Sequence, residues 1–373
     1  MLRSFELRLK PKLAQRSALA QILIDSCETY NAALQERRDA WKLCDKAISY
    51  YDQAAELTEL RKDPRFSVIA VDIQREPLRR LDRAFKSFFR RLKAGQKPGY
   101  PRFRSRDRYD SFAWHAPRFT LSDLLVPNLG RIRFKASRIP SGTPKMATVI
   151  RYGDKWIARI VCDIGPAPVK RPVASAAGMD VGLTTLATLS DGTEVDNPQW
   201  TRQYEYRIAS ANRSLARKQK RSKNQLRARH ALHRAHQRSA NARRNYLHHI
   251  SKWLVSHYDL IAYESLNVKG MAQGNLAKSI MDAAWSTLIW QLTYKAEKAG
   301  VWAVPVNPRG TSQICSDCGQ NVPKKLSQRV HDCPNCGLIL GRDENAGRNI
   351  LALGMSAAGL EPSKYVQKVY KSQ

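Results

Sequence analysis

The chain of 373 residues carries 64 Lys and Arg against 32 Asp and Glu, a formal net charge of +32 with a pI near 10.2. Its length suits two or three domains of ~100–200 residues, and 43% hydrophobic residues, eight of them Trp, supply buried cores and exclude disorder as the dominant state. There is no run of about 18 uncharged apolar residues, and the N-terminal MLRSFELRLKPKL alternates apolar with basic residues, so neither a membrane span nor a signal peptide is expected and the location is expected to be cytoplasmic and nucleoid-associated. A field this positive draws a polyanion, nucleic acid ahead of an anionic membrane surface.

Ser4 to Lys10 alternates as a strand that Pro11 ends. The spacing of Leu19, Ile22, Leu23, Cys27 and Tyr30 predicts a helix from Leu13 to about Tyr51. After a break at Asp63-Pro64, a second helix is expected from Val68 to about Lys93, with Leu78, Leu81, Phe85, Phe88 and Leu92 as its apolar stripe. Residues 75–108 hold thirteen Lys and Arg and three acids, more charge than a solvated face usually carries. Within them, Lys97-Pro98-Gly99-Tyr100-Pro101-Arg102-Phe103-Arg104 interleaves aromatic and basic side chains, the pairing that base stacking with phosphate contact requires. Tyr100, Arg102, Phe103 and Arg104 are therefore candidate nucleic-acid contacts, although Tyr100 and Phe103, taken singly, read almost as well as core residues of a strand entry.

From Ser111 to Asp163 short strands follow: Phe112 to His115, Phe119 to Val126, Arg131 to Lys135, Met146 to Tyr152 and Lys155 to Ile164. They predict a small barrel or sandwich that the first strand completes, with the helical block inserted between its first and second strands. Pro166, Pro168 and Pro172 mark a linker. A new domain opens at Ala177-Gly178-Met179-Asp180-Val181-Gly182-Leu183, continues through Thr184 to Leu189, turns at Asp191-Gly192 and ends a three-strand meander at Glu194-Val195. Residues 202–244 carry fourteen Lys and Arg against the single acid Glu205, with Leu215, Leu226 and Leu232 as sparse apolar positions. This predicts an extended helical hairpin with one thin seam, and Ile250, Trp253 and Leu254 favour an ordered helix over low-complexity disorder. Arg217, Lys218, Lys220 and Arg221 are further candidate nucleic-acid contacts. Asp259 to Tyr263 is a short strand ending at Glu264, Ser279 to Lys298 a helix capped by Gly300, Val301 to Val306 a strand, and Asp343 to about Leu353 a last helix.

Of seven cysteines, Cys27, Cys44 and Cys162 stand alone and read as small buried hydrophobes. The other four form Cys315-Ser-Asp-Cys318-Gly and Cys333-Pro-Asn-Cys336-Gly, two CxxC pairs separated by 14 residues. Gly after each second cysteine lets the backbone turn so that both thiolates face one cation. Four soft thiolates suit structural Zn²⁺ with no open position for catalysis, and an intracellular chain disfavours two disulfides.

The element order in this second half (three strands, a helical region, strand, helix, strand, cysteine insertion, helix) fits a ribonuclease-H-like α/β sheet of three antiparallel strands extended by parallel ones. In such a sheet Asp180, Glu264 and Asp343 converge on one edge. A carboxylate in an apolar strand is costly without a cation or several donors, and hard oxygen ligands in a cluster suit Mg²⁺ or Mn²⁺, two of which clamp the attacking and leaving oxygens of a phosphodiester. Each acid alone reads equally well as a strand-end residue paired to Arg. Asp191, Asp196 and Asp332 are weaker candidates, lying in turns or in the cysteine loop, and no phosphate-binding P-loop motif occurs.

Four ordered motifs resemble those of the TnpB family, insertion-sequence-encoded nucleases related to type V CRISPR effectors. They are Gly178-Met179-Asp180-Val181-Gly182, Tyr263-Glu264-Ser265-Leu266-Asn267, Gly310-Thr311-Ser312-Gln313-Ile314-Cys315 and Arg342-Asp343-Glu344-Asn345-Ala346-Gly347-Arg348-Asn349-Ile350. Gly347 stands where many members have Ala. Leu7-Arg8-Leu9-Lys10-Pro11 and the stretch from Lys97 to Arg104 extend the likeness over nearly the whole chain. The resemblance implies a multidomain α+β protein of a prokaryotic cell. A wedge β-barrel at 1–12 and 100–172 carries a helical recognition insertion at 13–99, and a RuvC-like nuclease domain at 173–310 and 338–353 carries a zinc-bearing target-nucleic-acid-binding insertion at 311–337; a tail at 354–373 follows. It implies an RNA-guided DNA endonuclease that pairs a transposon-end-derived guide RNA with target double-stranded DNA beside a short adjacent motif. The chain would hold the heteroduplex by its backbone, and two-metal hydrolysis would use Asp180, Glu264 and Asp343. The rivals are a nuclease-silent guided regulator, which the presence of all three acids disfavours, and a strand-transferring accessory protein of transposition, which uses the same paired metals. No membrane partner is expected, and nothing in the sequence specifies an oligomeric state.

Overall fold

The computed structural model describes residues 1–325 and 327–361, and the chain divides into two compact units, residues 1–166 and residues 167 onward. In the first unit β1 (Leu2–Leu9) is followed by α1 (Leu13–Cys44), α2 (Tyr50–Leu60), the single turn α3 (Pro64–Ser67) and α4 (Val71–Lys93). Six strands come next: β2 (Ser111–His115), β3 (Arg118–Phe119), β4 (Asp123–Val126), β5 (Gly130–Lys135), β6 (Thr143–Tyr152) and β7 (Lys155–Asp163). They form one curled antiparallel sheet in the order β2-β6-β7-β1-β5-β4-β3, so β1 lies in the middle and the helices are inserted between it and its sheet neighbours. Period-two alternation drives this: Phe5, Leu7 and Leu9 of β1 and Trp156, Ala158, Ile160 and Cys162 of β7 turn inward, with the charged Glu6, Arg8 and Arg159 and the half-buried Ile157 and Val161 between them. Of the small barrel or sandwich expected, the structure gives a half-barrel, with β2 and β3 as the edges of the sheet.

The helix expected to run to Tyr51 is two helices. Asp45 takes a left-handed conformation at φ 50°, its amide donating to the Trp41 carbonyl and the Lys46 amide to the Ala40 carbonyl. Ser49 and Asp52 then cap α2 reciprocally, a signature legible as Ser-x-x-Asp. Cys44 consequently sits exposed at the end of α1, whereas Cys27 and Cys162 are buried as expected.

The second unit starts with the meander β8 (Ala176–Val181), β9 (Thr185–Leu189) and β10 (Glu194–Asp196). The long helices α5 (Trp200–Ala216) and α6 (Lys223–His257) follow and pack as a hairpin, so the basic stretch is ordered helix. Then come β11 (Leu260–Glu264), the short helices α7 (Val268–Met271) and α8 (Ala277–Ala283), α9 (Trp285–Ala299), β12 (Trp302–Val306), the small hairpin β13 (Val330–Asp332) and β14 (Ile339–Gly341), and α10 (Arg342–Ala357). Gly300 caps α9 at φ 70°. Of the expected tail at 354–373, residues 354–357 complete α10 and residues 362–373 lie outside the described residues.

The five-stranded sheet runs β10-β9-β8-β11-β12, with the meander antiparallel and β11 and β12 parallel to β8. Its central strands are covered on both faces. Ala177, Met179, Ile261 and Tyr263 pack with residues of α6, α8 and α9, while Ala176, Leu260, Ala262 and Val306 pack with Ile350, Leu351 and Met355 of α10. Three glycines set how closely α10 lies on the sheet. A Cβ on Gly178 would stand 2.0 Å from the Gly347 carbonyl oxygen, one on Gly354 would stand 2.3 Å from the Ala262 methyl, and one on Gly347 would stand 3.0 Å from the Ser190 amide. Gly178→Ala therefore pushes backbone against backbone and is expected to destabilise the second unit by about 1–3 kcal/mol or more. Chemical denaturation followed by a probe in that unit measures it, and an unchanged midpoint would contradict this packing.

Candidate active site and metal centre

Strand parity decides which acids meet. Residues 176, 178 and 180 of β8 and residues 260, 262 and 264 of β11 share the face that α10 covers, because successive side chains alternate across a sheet. The register pairs Ala262 with Gly178 and Tyr263 with Met179, which carries Glu264 to a place beside Asp180 on the neighbouring strand, roughly 4.8 Å away backbone to backbone. Asp343 occupies the first turn of α10, where the helix dipole favours a carboxylate.

The electrostatics record this convergence. Burial first, and then the charges of Glu264 and Asp343, push the Asp180 carboxyl up to about 8. Burial also raises Glu264, which the Thr311 hydroxyl, donating to its Oε1 at 2.6 Å, partly offsets. Asp343 meets the guanidinium of Arg342 at 2.7 Å and that of Arg329 at 3.8 Å. Mutually repelling, partly buried carboxylates suit a divalent cation, whose charge would offset both the burial and the repulsion that raise Asp180. Of the weaker candidates, Asp191 accepts from Tyr258 Oη at 2.6 Å and from the Thr193 amide, a turn-forming role. Asp196 and Asp332 are exposed at the sheet edge and in the cysteine hairpin.

The second cluster is sulfur. The Sγ atoms of Cys315, Cys318, Cys333 and Cys336 all lie within 4.8 Å of one another, with Cys315–Cys336 and Cys318–Cys333 at 3.6 Å. Tetrahedral Zn–S bonds near 2.3 Å imply sulfurs about 3.8 Å apart, whereas a disulfide needs about 2.05 Å. The tetrad therefore fits one zinc ion. Gly319 and Gly337 follow the second cysteines at φ 75° and 74°, and each donates its amide to the first cysteine's carbonyl, closing the two turns. Hydrogen bonds from the Asn335 side chain and the Gln320 amide hold the Cys318 thiol down to about 6, a predisposition to thiolate.

Sequence reasoning missed the polar residues that join these two clusters. Asn345 Nδ2 donates to the Ile314 carbonyl at 2.8 Å and its Oδ1 accepts from the Ser316 amide at 2.9 Å. Asn349, one turn on, donates to the carbonyls of Thr311 and Ile314 at 2.8 and 2.7 Å. The i,i+4 spacing of two asparagines just after Asp343 was the available signal.

The other candidates are surface residues. Tyr100 rests edge-on against Phe85 and Phe88, and the Arg38 guanidinium lies over Phe103, yet both rings remain nearly half exposed. Asn31 clamps the Arg104 backbone, accepting from its amide and donating to its carbonyl, both at 2.8 Å, so the side chains of Arg102 and Arg104 project from a fixed strip. Arg217, Lys218, Lys220 and Arg221 are exposed at the turn between α5 and α6, with Arg221 at φ 65°.

Comparison with known proteins follows the same lines. Residues 159–275 match a family model described as "Probable transposase", and residues 285–350 match one described as a "Cas12f1-like, TNB domain". A protein of Streptomyces pristinaespiralis named for RNA-guided DNA endonuclease activity is 32% identical over 99% of this chain and 94% of its own length. Another so named, from Escherichia coli K12, is 30% identical over 95% of this chain and 92% of its own. Among solved structures, the Cas12f1 protein of a complex with guide RNA and target DNA superposes with a TM-score of 0.58 at 14% identity, covering 91% of this chain and 83% of that one, a likeness of fold.

Two expectations follow. The purified protein should carry one tightly held zinc, lost in Cys333→Ser together with local unfolding of about residues 311–337; metal analysis of the wild type decides it. The second concerns pH. Asp180 binds its proton more tightly when folded, so its contribution to stability is fullest below about pH 4 and is lost as pH rises towards about 8. In Mg²⁺-free buffer with zinc retained, Asp180→Asn should flatten this part of the decline, a gap between variant and wild type that widens from pH 5 to 8 in thermal unfolding.

Proposed function

Since the chain belongs to the TnpB family, we propose that it is an RNA-guided DNA endonuclease of a transposable element, cutting guide-matched DNA beside a short adjacent motif. The observation that carries the reading is the meeting of Asp180, Glu264 and Asp343 at one edge of a sheet, in a chain with a charge of +32. Asp180, Glu264 and Asp343 would hold Mg²⁺ or Mn²⁺. A metal bound there would polarise the scissile phosphate and lower the pKa of the attacking water. The carboxylates orient that site, and the partial burial of Asp180 and Glu264 keeps their charge poorly solvated and so strongly attracted to cation.

The five-stranded sheet is read as a RuvC-like nuclease domain at 173–310 and 338–353. The cysteine module at 311–337 is its zinc-bearing target-nucleic-acid-binding insertion. The half-barrel at 1–12 and 100–172 is the wedge, and 13–99 is the helical recognition part. Tyr100, Arg102, Phe103 and Arg104 in one unit and Arg217, Lys218, Lys220 and Arg221 in the other are assigned to phosphate and base contacts with a transposon-end-derived guide RNA and double-stranded target DNA. Among the described residues no helix is long and apolar enough to cross a membrane.

Asp180→Ala, Glu264→Ala and Asp343→Ala should each abolish Mg²⁺-dependent cutting of a matched target while leaving RNA association and target binding largely intact, since the metal acts on the cleavage step. Ca²⁺, larger and more loosely coordinated, should support binding with little cutting. Wild-type protein that binds a matched target in Mg²⁺ and never cuts it would sink the nuclease reading in favour of a guided regulator.

A further inference from the structure

The cysteine module touches the acid cluster at both of its ends. At its entry, the buried Thr311 donates its hydroxyl to Glu264 Oε1 at 2.6 Å. At its exit, β14 runs straight into α10, whose second residue is Asp343. The two ends are fastened to each other by Asn345 and Asn349, which together make four hydrogen bonds of 2.7–2.9 Å to the backbone of Thr311, Ile314 and Ser316. Cys315, a ligand of the sulfur tetrad, lies between two of these anchored residues.

We propose that Thr311 is a positioning residue that sets the Glu264 carboxylate for a divalent cation, and that the cysteine module with Asn345 and Asn349 holds Glu264 and Asp343 at a fixed separation. This rests on the reading of Asp180, Glu264 and Asp343 as ligands of that cation. The physical reason is the number of acceptor sites on a carboxylate. A hydroxyl fixed on one oxygen of Glu264 stops the group from rotating and leaves its remaining lone pairs aimed at the space beside Asp180. Without the hydroxyl, a partly buried carboxylate repelled by its neighbours turns away. Zinc held by Cys315, Cys318, Cys333 and Cys336 would therefore steady the acid cluster through the backbone from Thr311 to Ser316 without taking part in the chemistry.

The test is Mn²⁺ titration by electron paramagnetic resonance on the full-length protein freed of nucleic acid, with Asp180→Ala subtracting binding elsewhere. Thr311→Val keeps the shape and removes the donor, and Thr311→Ser restores it. The expected result is Mn²⁺ affinity at the acid cluster lowered about tenfold or more in Thr311→Val and close to wild type in Thr311→Ser. Zinc content and affinity for matched target should be unchanged in both. In cleavage assays the Mn²⁺ concentration for half-maximal cutting should rise by the same factor. Thr311→Val that binds Mn²⁺ as the wild type does overturns the proposal, as does equal weakening in Thr311→Ser. If wild type and Asp180→Ala titrate identically, the metal-ligand reading fails and the proposal with it. If the Mn²⁺ pattern appears but wild type never cuts matched DNA, only the nuclease reading fails and the positioning role stands.

Discussion

The second unit depends on how near one helix comes to one sheet. α10 lies against β8, β9 and β11 at backbone contact distance because Gly178, Gly347 and Gly354 present no side chains there. That approach brings the first turn of α10 over the ends of β8 and β11, where the sheet's parity has put Asp180 and Glu264 on the same face. A helix held further off by one methyl would carry Asp343 with it. A Cβ at Gly347 would sit 3.0–3.2 Å from the Leu189–Ser190 backbone, so an Ala there requires the neighbouring turn to give by a few tenths of an ångström.

What the sequence disclosed follows from how local each signal is. The cysteine tetrad was legible because ligand spacing within a CxxC turn is a local property, and the strands because alternation is too. The three acids were legible as positions at strand and helix ends, since order of elements fixes where those ends gather. Thr311, Asn345 and Asn349 were not, because their roles consist of hydrogen bonds between segments some 30 to 47 residues apart in the chain, and the i,i+4 spacing of the two asparagines marks a shared helix face without naming its partners. Whether the first sheet is a barrel or a sandwich stayed open in the sequence for a related reason. Period two specifies faces, but whether edge strands such as β2 and β3 meet is decided by curl and register along the whole sheet. The exposure of Cys44 came from a helix stop at Asp45 that composition alone did not mark.

Charge density also reads differently once partners are seen. In residues 75–108, Arg79, Arg80 and Arg83 surround the buried Glu76, Lys86 pairs with Asp82, and Arg106 pairs with Glu28. Part of that basic surplus thus serves the fold, and the exposed strip from Arg102 to Arg104 is a better measure of what is offered to a polyanion. The exposed pairs among them contribute little to stability; the cluster on Glu76 matters more, because a buried carboxylate left unpaired is costly.

The α5–α6 hairpin is fixed almost entirely at its root. Asp282 of α8 accepts from the Thr201 amide and hydroxyl and from Arg243, Tyr246 bonds the Asp196 carbonyl, Trp200 packs edge-on against Tyr246, and Lys278 pairs with Glu205. Beyond this root none of the described residues of α5 is buried, and α6 runs about 30 Å outward from Arg243 to Lys223. Both helices leave and return between β10 and β11, so turns of helix added to or removed from the far end alter reach without shifting a strand of the sheet. The architecture separates how far the hairpin reaches from where the acids stand, and the first can drift in length while the second stays in register.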